Sequence, residues 1–290
     1  MINFSFLKAL KKGAVMATRI SGLLLCVAGS FVVSAASAQD VTKIHNFSIA
    51  AEASSYEYKE PGLMKLSGTL YGVTAEYLNN GGVGRIKESM PVQLRARLTY
   101  MQGNDLEYDG KLLGSGAPFK RDGEHIYYYD VIFAAGFGIK ATEKLFISPY
   151  LGVGYRYHLD KDDGIVYDKA NSVYVVDPKR EQTYYYLPLG ADFKIPLGSG
   201  WRLAFNTELD LLLRGRNTTT SELSGEHNFR QNSGYGLRAS AKIEKHLQSV
   251  GFFAEPFYRY WNISKSDMDG IWYEPKNRTQ EFGLRIGATF

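Results

Sequence analysis

The last thirteen residues of the chain, Arg278 to Phe290, alternate between apolar and polar positions. A repeat of two residues is the period of a β-strand, whose successive side chains point to opposite faces. Such a strand has its apolar face against lipid in a membrane barrel, or is the edge strand of a water-soluble sheet. The alternation therefore predicts a strand and leaves its surroundings open. Its apolar positions are Phe282, Leu284, Ile286, Ala288 and Phe290.

Nine earlier segments repeat this alternation, which brings the number of predicted strands to ten. Their lengths match the roughly 9–11 tilted residues with which a barrel strand crosses a bilayer. After residue 38, no stretch approaches the roughly 20 consecutive apolar residues of a membrane helix. The alternating segments therefore favour a transmembrane β-barrel. Their apolar positions fall within residues 47–53, 71–77, 92–100, 127–139, 145–157, 185–195, 201–213, 235–243 and 252–260.

The connections between these segments are short on one side and long on the other. The short ones are residues 140–143, 196–200 and 244–249, and the long ones are 103–124, 159–181, 215–232 and 263–277. Outer-membrane barrels have short periplasmic turns, long external loops and an even number of strands in bacteria. We therefore predict an all-β fold, an antiparallel transmembrane barrel of about ten strands with both termini periplasmic. A count of twelve requires a hairpin within 159–181, with apolar positions Ile165, Tyr167, Val173 and Val175.

The N-terminal residues have the organisation of a secretory signal peptide. A basic head precedes an apolar run from Ile20 to Val33, and Ala36-Ser37-Ala38 follows it. A short apolar core that ends in small residues at an A-x-A site is typical of a cleaved signal. We predict that residues 1–38 are the signal peptide and that residues 39–290 form the barrel. The basic residues of the head are Lys8, Lys11, Lys12 and Arg19.

Removal of the signal changes the charge and the cysteine content. The complete chain has 34 basic and 30 acidic residues, and residues 1–38 contain four bases and no acid. The mature chain is therefore neutral, and its charge gives no reason to expect binding to nucleic acid. Cys26, the single cysteine, lies in the signal, so the mature chain has no disulfide and no cysteine-ligated metal. We predict no cofactor and no metal site.

The mature chain as a whole resembles the small bacterial outer-membrane β-barrel proteins, grouped as the outer-membrane protein β-barrel domain or porin-like family. Three features carry the resemblance. The terminal Phe290, with Phe282 on the same face, resembles the assembly signal of such barrels. The strand Pro149–Tyr157, PYLGVGYRY, is typical of the architecture, and the stretch 60–64, EPGLM, followed by Tyr71 and Gly72, is similar to uncharacterised members.

The resemblance implies a location and a set of partners. The location is the outer membrane of a Gram-negative bacterium. The partners are the outer-membrane lipid, the outer-membrane assembly machinery and an extracellular ligand bound through the long loops. The resemblance carries no catalytic residue to this chain.

Positions out of phase with the apolar set face the lumen of the predicted barrel, and their charges nearly balance. Lone charges inside a narrow barrel are costly, whereas paired ones are tolerated. A barrel of about eight to ten strands is largely filled by its own side chains. The predicted inward bases are Arg95, Arg97, Arg156, Lys194, Arg202, Arg214, Arg238, Lys242, Arg259 and Arg285. The predicted inward acids are Glu52, Glu76, Asp130, Asp192, Glu208, Asp210, Glu244, Glu255 and Glu281.

The balanced charges favour a barrel whose lumen is closed by ion pairs and whose role is structural or in surface interaction. A narrow porin-like channel for small solutes is the alternative, and it would favour an excess of one charge. An omptin-like protease is the third hypothesis, since His158 and Asp160 precede a pair of loop acids, Asp267 and Asp269. The ten-stranded outer-membrane proteases have these elements in the opposite order. We therefore predict that the protein is not an enzyme.

Overall fold

The computed structural model describes residues 44–112, 115–161, 164–222 and 224–290. The predicted signal peptide, residues 1–38, lies outside the described residues. Within them, no helix is long and apolar enough to cross a membrane. The strands are β1 (His45–Glu60), β2 (Met64–Lys87), β3 (Met90–Lys111), β4 (Pro118–Phe137), β5 (Ile139–Thr142), β6 (Leu145–Asp160), β7 (Gly164–Asp168), β8 (Val173–Asp177), β9 (Lys179–Gly198), β10 (Trp201–Ser221), β11 (Gly225–Gln231), β12 (Gly234–Leu247), β13 (Val250–Ile263) and β14 (Asn277–Thr289).

Ten of these strands close into an antiparallel barrel, as the alternation predicts. Their order around the barrel is β1-β2-β3-β4-β6-β9-β10-β12-β13-β14, and β14 pairs with β1 from Ser48↔Thr289 to Lys59↔Arg278. The short strand β5 follows β4 and pairs with β6, while β11 precedes β12 and pairs with the distal part of β10. Closure leaves the barrel without a free edge, so every strand has two hydrogen-bonded neighbours.

The hairpin proposed within residues 159–181 forms, but it does not enter the barrel. Strands β7 and β8 pair from Gly164↔Asp177 to Asp168↔Val173 in a separate two-stranded sheet. The flanking strands β6 and β9 pair directly with each other as far as Asp160↔Arg180. No gap is left between them for an inserted hairpin. The strand count of the barrel therefore stays at ten.

The apolar positions of the strands form a belt around the outside of the barrel. Phe133, Val153 and Ile286 are 58%, 59% and 62% exposed. A continuous apolar surface of this kind is unfavourable in water, whereas it is the expected surface of a strand wall that faces lipid. At one edge of the belt, outward tyrosines contact one another at ring-centroid distances of 5.2 to 6.2 Å. These residues are Tyr100, Tyr127, Tyr129, Tyr155, Tyr157 and Tyr185.

The two ends of the barrel differ. We name the end with the short turns the terminal end, and we name the opposite end the loop end. The terminal end contains Phe47, Phe290 and the turns 88–89, 199–200 and 248–249. Toward the loop end the strands continue well beyond the belt, since β2 has 24 residues and roughly 9–11 suffice to cross a bilayer.

The prediction that 103–124 and 215–232 are long loops is wrong for most of their length. Strand β3 continues to Lys111 and β4 begins at Pro118, so only residues 112–117 connect them. Most of 215–232 is strand as well, because Gly215 to Ser221 belong to β10 and pair with β11. Outside the bilayer both faces of a strand can meet water, so the alternation of apolar and polar residues that marks a lipid-facing strand is lost.

One inward prediction is also wrong, and a bulge explains it. The pairing of β10 with β9 shifts by one residue between Leu212 and Arg214. A bulge adds a residue to one strand and reverses the faces of the residues that follow it. Leu212, before the bulge, keeps the predicted phase and is buried, whereas Arg214, after it, is exposed on the outer surface. The sequence gives no signal for this shift.

Candidate functional site in the barrel lumen

The inner wall of the barrel is filled by aromatic rings that lie over glycines of neighbouring strands. A Cβ atom on Gly154 would come within 2.1 Å of the Tyr186 ring, and one on Gly190 within 2.3 Å of the Tyr150 ring. Phe257 covers Gly283 in the same manner. An aromatic side chain over a strand glycine restores the contacts that the missing side chain would have made. Small and large residues thus combine to occupy the lumen.

Among the predicted lumen residues, Arg259 and Arg285 share acidic partners. Arg259 Nη2 lies 2.6 Å from Glu52 Oε2, and Nη1 of the same residue lies 3.3 Å from Glu281 Oε2. Arg285 Nε lies 2.6 Å from the other oxygen of Glu52, and its Nη1 lies 3.1 Å from Glu255 Oε1. Hydrogen-bonded pairs of this kind compensate for the loss of water around buried charges.

Arg238 is the centre of a second group of charges. Its Nη2 lies 2.8 Å from Asp130 Oδ2, and its Nε lies 2.7 Å from Asp210 Oδ2 and 3.1 Å from Glu208 Oε1. The Tyr186 hydroxyl accepts a hydrogen bond of 2.9 Å from Arg238 and donates one of 2.8 Å to Asp130. Because Arg238 is only 7% exposed, these groups replace water as the hydrogen-bond partners of its guanidinium.

A third group joins β3 to the wall formed by β6, β9 and β10. Arg97 Nη2 donates to Glu208 at 2.8 Å, and the Tyr150 hydroxyl donates to the other oxygen of Glu208 at 2.6 Å. Arg95 pairs with Asp192, and its guanidinium lies 4.3 Å from the centroid of the Tyr150 ring. A cation over an aromatic face is attracted by the ring quadrupole, more strongly when both are buried.

Two further predicted bases, Arg156 and Arg202, have different partners. Arg156 stacks over the Tyr128 ring at 3.9 Å and lies 3.8 Å from Glu281, so its main contact is aromatic. Arg202 pairs with Glu244 on the neighbouring strand. Among the predicted lumen residues, Arg214 lies on the outer surface and Lys194 has no ion-pair partner within 4 Å in the described part of the chain, whereas most of the others contact partners of opposite charge. We name this set the ion-pair network: Glu52, Arg95, Arg97, Asp130, Arg156, Asp192, Arg202, Glu208, Asp210, Arg238, Glu244, Glu255, Arg259, Glu281 and Arg285.

Sequence reasoning missed the inward tyrosines that connect this network. Tyr128 donates to both oxygens of Glu281, at 2.9 and 2.8 Å, and accepts from Arg259 at 2.9 Å. The alternation of β4 predicts the inward orientation of Tyr128. Tyr127 and Tyr129 are outward apolar positions, so the residue between them must point inward. Tyr150 and Tyr186 follow from the same rule.

Comparisons with known proteins agree with this architecture. No family model matches the chain, and no curated protein matches its sequence. Among solved structures, the outer membrane protease OmpT from Escherichia coli superimposes with a TM-score of 0.53 at 7% sequence identity. The match covers 89% of this chain and 99% of that one. The chain has the fold of an outer-membrane β-barrel. The resemblance inferred from the sequence is thereby confirmed at the level of the fold.

Other outer-membrane barrels are more distant. A major outer membrane protein from Thermus thermophilus gives a TM-score of 0.41 at 14% identity, over 85% of this chain and 98% of that one. Ail, the attachment invasion locus protein of Yersinia pestis, gives 0.31 at 12% identity, over 84% and 98%.

At the loop end, a group of carboxylates surrounds Arg180. Its guanidinium lies 2.9 Å from Glu60 and 3.0 Å from Asp160. Tyr58 donates to Glu60 at 3.0 Å and to Glu274, from the segment between β13 and β14, at 3.4 Å. Burial of Glu274, together with the nearby Glu60, raises the pKa of the Glu274 carboxyl to about 8. Glu274 therefore carries its proton at neutral pH.

The residues considered for catalysis are not assembled into one site. His158 is buried in the wall, where its Nε2 lies 3.1 Å from the Tyr56 hydroxyl. Asp160 pairs with Arg180, and Asp269 contacts His227 instead, at 3.3 Å. In the part of the chain that the structure describes, no group of three or more His, Cys, Asp or Glu side chains is placed to hold a metal ion.

Proposed function

We propose that the protein is an integral barrel of the Gram-negative outer membrane, with a lumen closed by the ion-pair network and a structural or surface-interaction role. The apolar belt supports the membrane location, since a closed strand wall of this composition is stable only against lipid. The short turns at the terminal end support a periplasmic position for both termini. The loop end then faces the exterior of the cell.

The observation that carries the closed lumen is that side chains from opposite walls touch. Arg259 on β13 and Tyr128 on β4, five strands apart around the ring of ten, are joined by a hydrogen bond of 2.9 Å. Arg238 on β12 likewise reaches Asp130 on β4, and Arg97 on β3 reaches Glu208 on β10. These contacts cross the axis of the barrel, which supports a lumen closed to ions at that level.

Conductance in a planar bilayer tests this proposal. We expect the refolded mature protein to insert and to conduct little at moderate voltage. A known outer-membrane porin, treated in the same detergent and lipid, is the positive control for insertion. Steady, ion-selective conductance of the wild-type protein would instead support the narrow channel.

The surface role is supported by the hairpins that extend beyond the belt. Tyr174, on β8, and Ile271, between β13 and β14, are among the most exposed large apolar side chains of the described residues. Exposed apolar side chains far from lipid are favourable only when a partner covers them. We propose that the loop end contacts an extracellular ligand through these residues.

We also propose that the protein is not a hydrolase. The histidine–carboxylate pair at the loop end, His227 and Asp269, has the Nε2 atom of the histidine buried. A general base must reach the proton that it abstracts, directly or through one water. His227 packs against Phe229 and Trp272, which covers its ring.

The terminal strand supports the proposed assembly role of Phe290 and Phe282. Phe290 exchanges backbone hydrogen bonds of 2.8 and 3.3 Å with Phe47, and thus joins the end of the chain to β1 at the seam. Phe282 lies in the outer belt of the same strand. We propose that the assembly machinery binds this strand before the seam closes, when its edge is still free.

A further inference from the structure

The part of the lumen nearer the terminal end contains a cavity of about 100 Å³, and several members of the ion-pair network line it. One water molecule requires about 10–15 Å³ by a comparable measure, so the cavity has room for a polyatomic ion. Its lining has six bases and four acids, and two of the bases, Arg97 and Arg285, pair with Glu208 and Glu52, which are not in the lining. The basic residues are Arg95, Arg97, Lys194, Arg202, Lys242 and Arg285, and the acidic residues are Glu76, Asp192, Glu244 and Glu255.

Two of these bases stand on either side of a small residue. In the strand register, Ala204 of β10 pairs with Lys194 of β9 on one side and with Lys242 of β12 on the other. Neighbouring strands are about 4.8 Å apart, so the two lysine Cα atoms are separated by about 10 Å. The methyl group of Ala204 leaves the space between the two lysine side chains open to the cavity.

The arginines of the cavity pair closely with acids, whereas these two lysines have weaker contacts or none. Arg95 pairs with Asp192, and Arg202 pairs with Glu244. Arg97 and Arg285 are likewise paired with carboxylates. Among the described residues, Lys194 has no ion-pair partner within 4 Å. Lys242 reaches an acid, Glu255, only at 4.0 Å, and its ammonium group lies 4.5 Å from the centroid of the Phe253 ring.

Asp192, on the same face of β9 as Lys194, is shared with other partners. Its carboxylate already pairs with Arg95 and accepts a hydrogen bond of 2.8 Å from Asn206. Both lysines therefore contribute positive charge to an enclosed space in which the surrounding protein screens it less than water would.

We propose that this cavity is a binding site for a small oxyanion of the phosphate class, held over Ala204 between Lys194 and Lys242. A lysine ammonium is a compact point charge with three donors, and it binds phosphate oxygens without requiring a planar geometry. This proposal needs the barrel fold and is independent of any role of the loop end.

Titration with inorganic phosphate tests the site. The mature protein is refolded in a zwitterionic detergent without a phosphate headgroup, in low-salt buffer, and binding is followed by calorimetry or by ³¹P NMR. We expect saturable binding by the wild-type protein and at least a tenfold weaker affinity for Lys194→Met and for Lys242→Met. Lys245→Met is the matched control. Lys245 is on the same strand as Lys242 but faces outward, where it lies over Trp201, and its removal should leave binding unchanged.

A variant that keeps both charges separates the site from a general electrostatic effect. Ala204→Leu fills the space between the two lysines without changing the charge of the cavity, and we expect it to abolish saturable binding. Heat-modifiable gel migration shows that each variant is folded. If Ala204→Leu binds phosphate like the wild type, or if the wild type shows no saturable binding, the proposal is overturned.

Discussion

At the scale of single residues, the stability of the barrel depends on charges that have no access to water. Arg238 is the clearest case, since Asp130, Glu208 and Asp210 all lie within 3.1 Å of its guanidinium. The pairs need not make the barrel more stable than an apolar lumen would. Loss of one partner is nevertheless severe, because the other charge remains buried.

We predict that Arg238→Ala lowers the free energy of unfolding by about 3–5 kcal/mol, the range for a buried pair that loses one member. Urea unfolding in lipid vesicles, followed by gel migration or tryptophan fluorescence, measures the change. Arg214→Ala is the matched control, since this arginine is exposed on the outside of β10. Its expected effect is within about 0.5 kcal/mol, as for an ordinary surface substitution. Equal effects of the two substitutions would contradict the network.

At the scale of strands, the decisive feature is which face meets lipid. Leu151 of β6 and Phe205 of β10 are in the apolar belt, 49% and 39% exposed on the outer surface. Tyr150 and Asn206, next to them in sequence, point into the lumen, where Asn206 donates to the Tyr150 hydroxyl at 2.9 Å and to Asp192 at 2.8 Å. One strand therefore presents two environments to successive residues.

We predict that Leu151→Arg and Phe205→Arg each reduce the free energy of unfolding by about 2–4 kcal/mol if they lie near the bilayer midplane. The physical cause is the transfer of a charged guanidinium into hydrocarbon. Folding titrations in vesicles give the value, and Lys59→Arg, on the polar extension of β1, is the control that should have no effect. A harmless arginine at both belt positions would show that the faces are assigned incorrectly.

At the scale of the whole molecule, the loop end contains a buried carboxyl group whose pKa is raised. Glu274 is 4% exposed, and its pKa of about 8 is above the ordinary value of 4.5. The folded state therefore holds this proton more tightly than the unfolded chain does. The contribution of Glu274 to stability is complete below pH 4.5 and is lost as the pH rises toward 8.

We predict that the segment 264–276 opens more readily at pH 9 than at pH 6, because ionised Glu274 then lies beside the carboxylate of Glu60. Hydrogen exchange of this segment at the two pH values measures the opening. Glu274→Gln keeps a neutral side chain of the same size, and we expect it to remove most of the pH dependence. The same pH dependence in the variant and the wild type would assign the effect to another group.

The sequence determined the strands and their faces, because alternation is a local property that each segment displays by itself. The C-terminal strand shows this, since Phe282, Leu284 and Ile286 alternate with residues that face the lumen. The tertiary structure decided what depends on register and closure. It places Arg259 against Tyr128 from the opposite wall, turns Arg214 outward at a bulge, and sets Lys194 and Lys242 beside Ala204. These contacts join residues far apart in the chain, and their alignment is fixed only when all ten strands have paired.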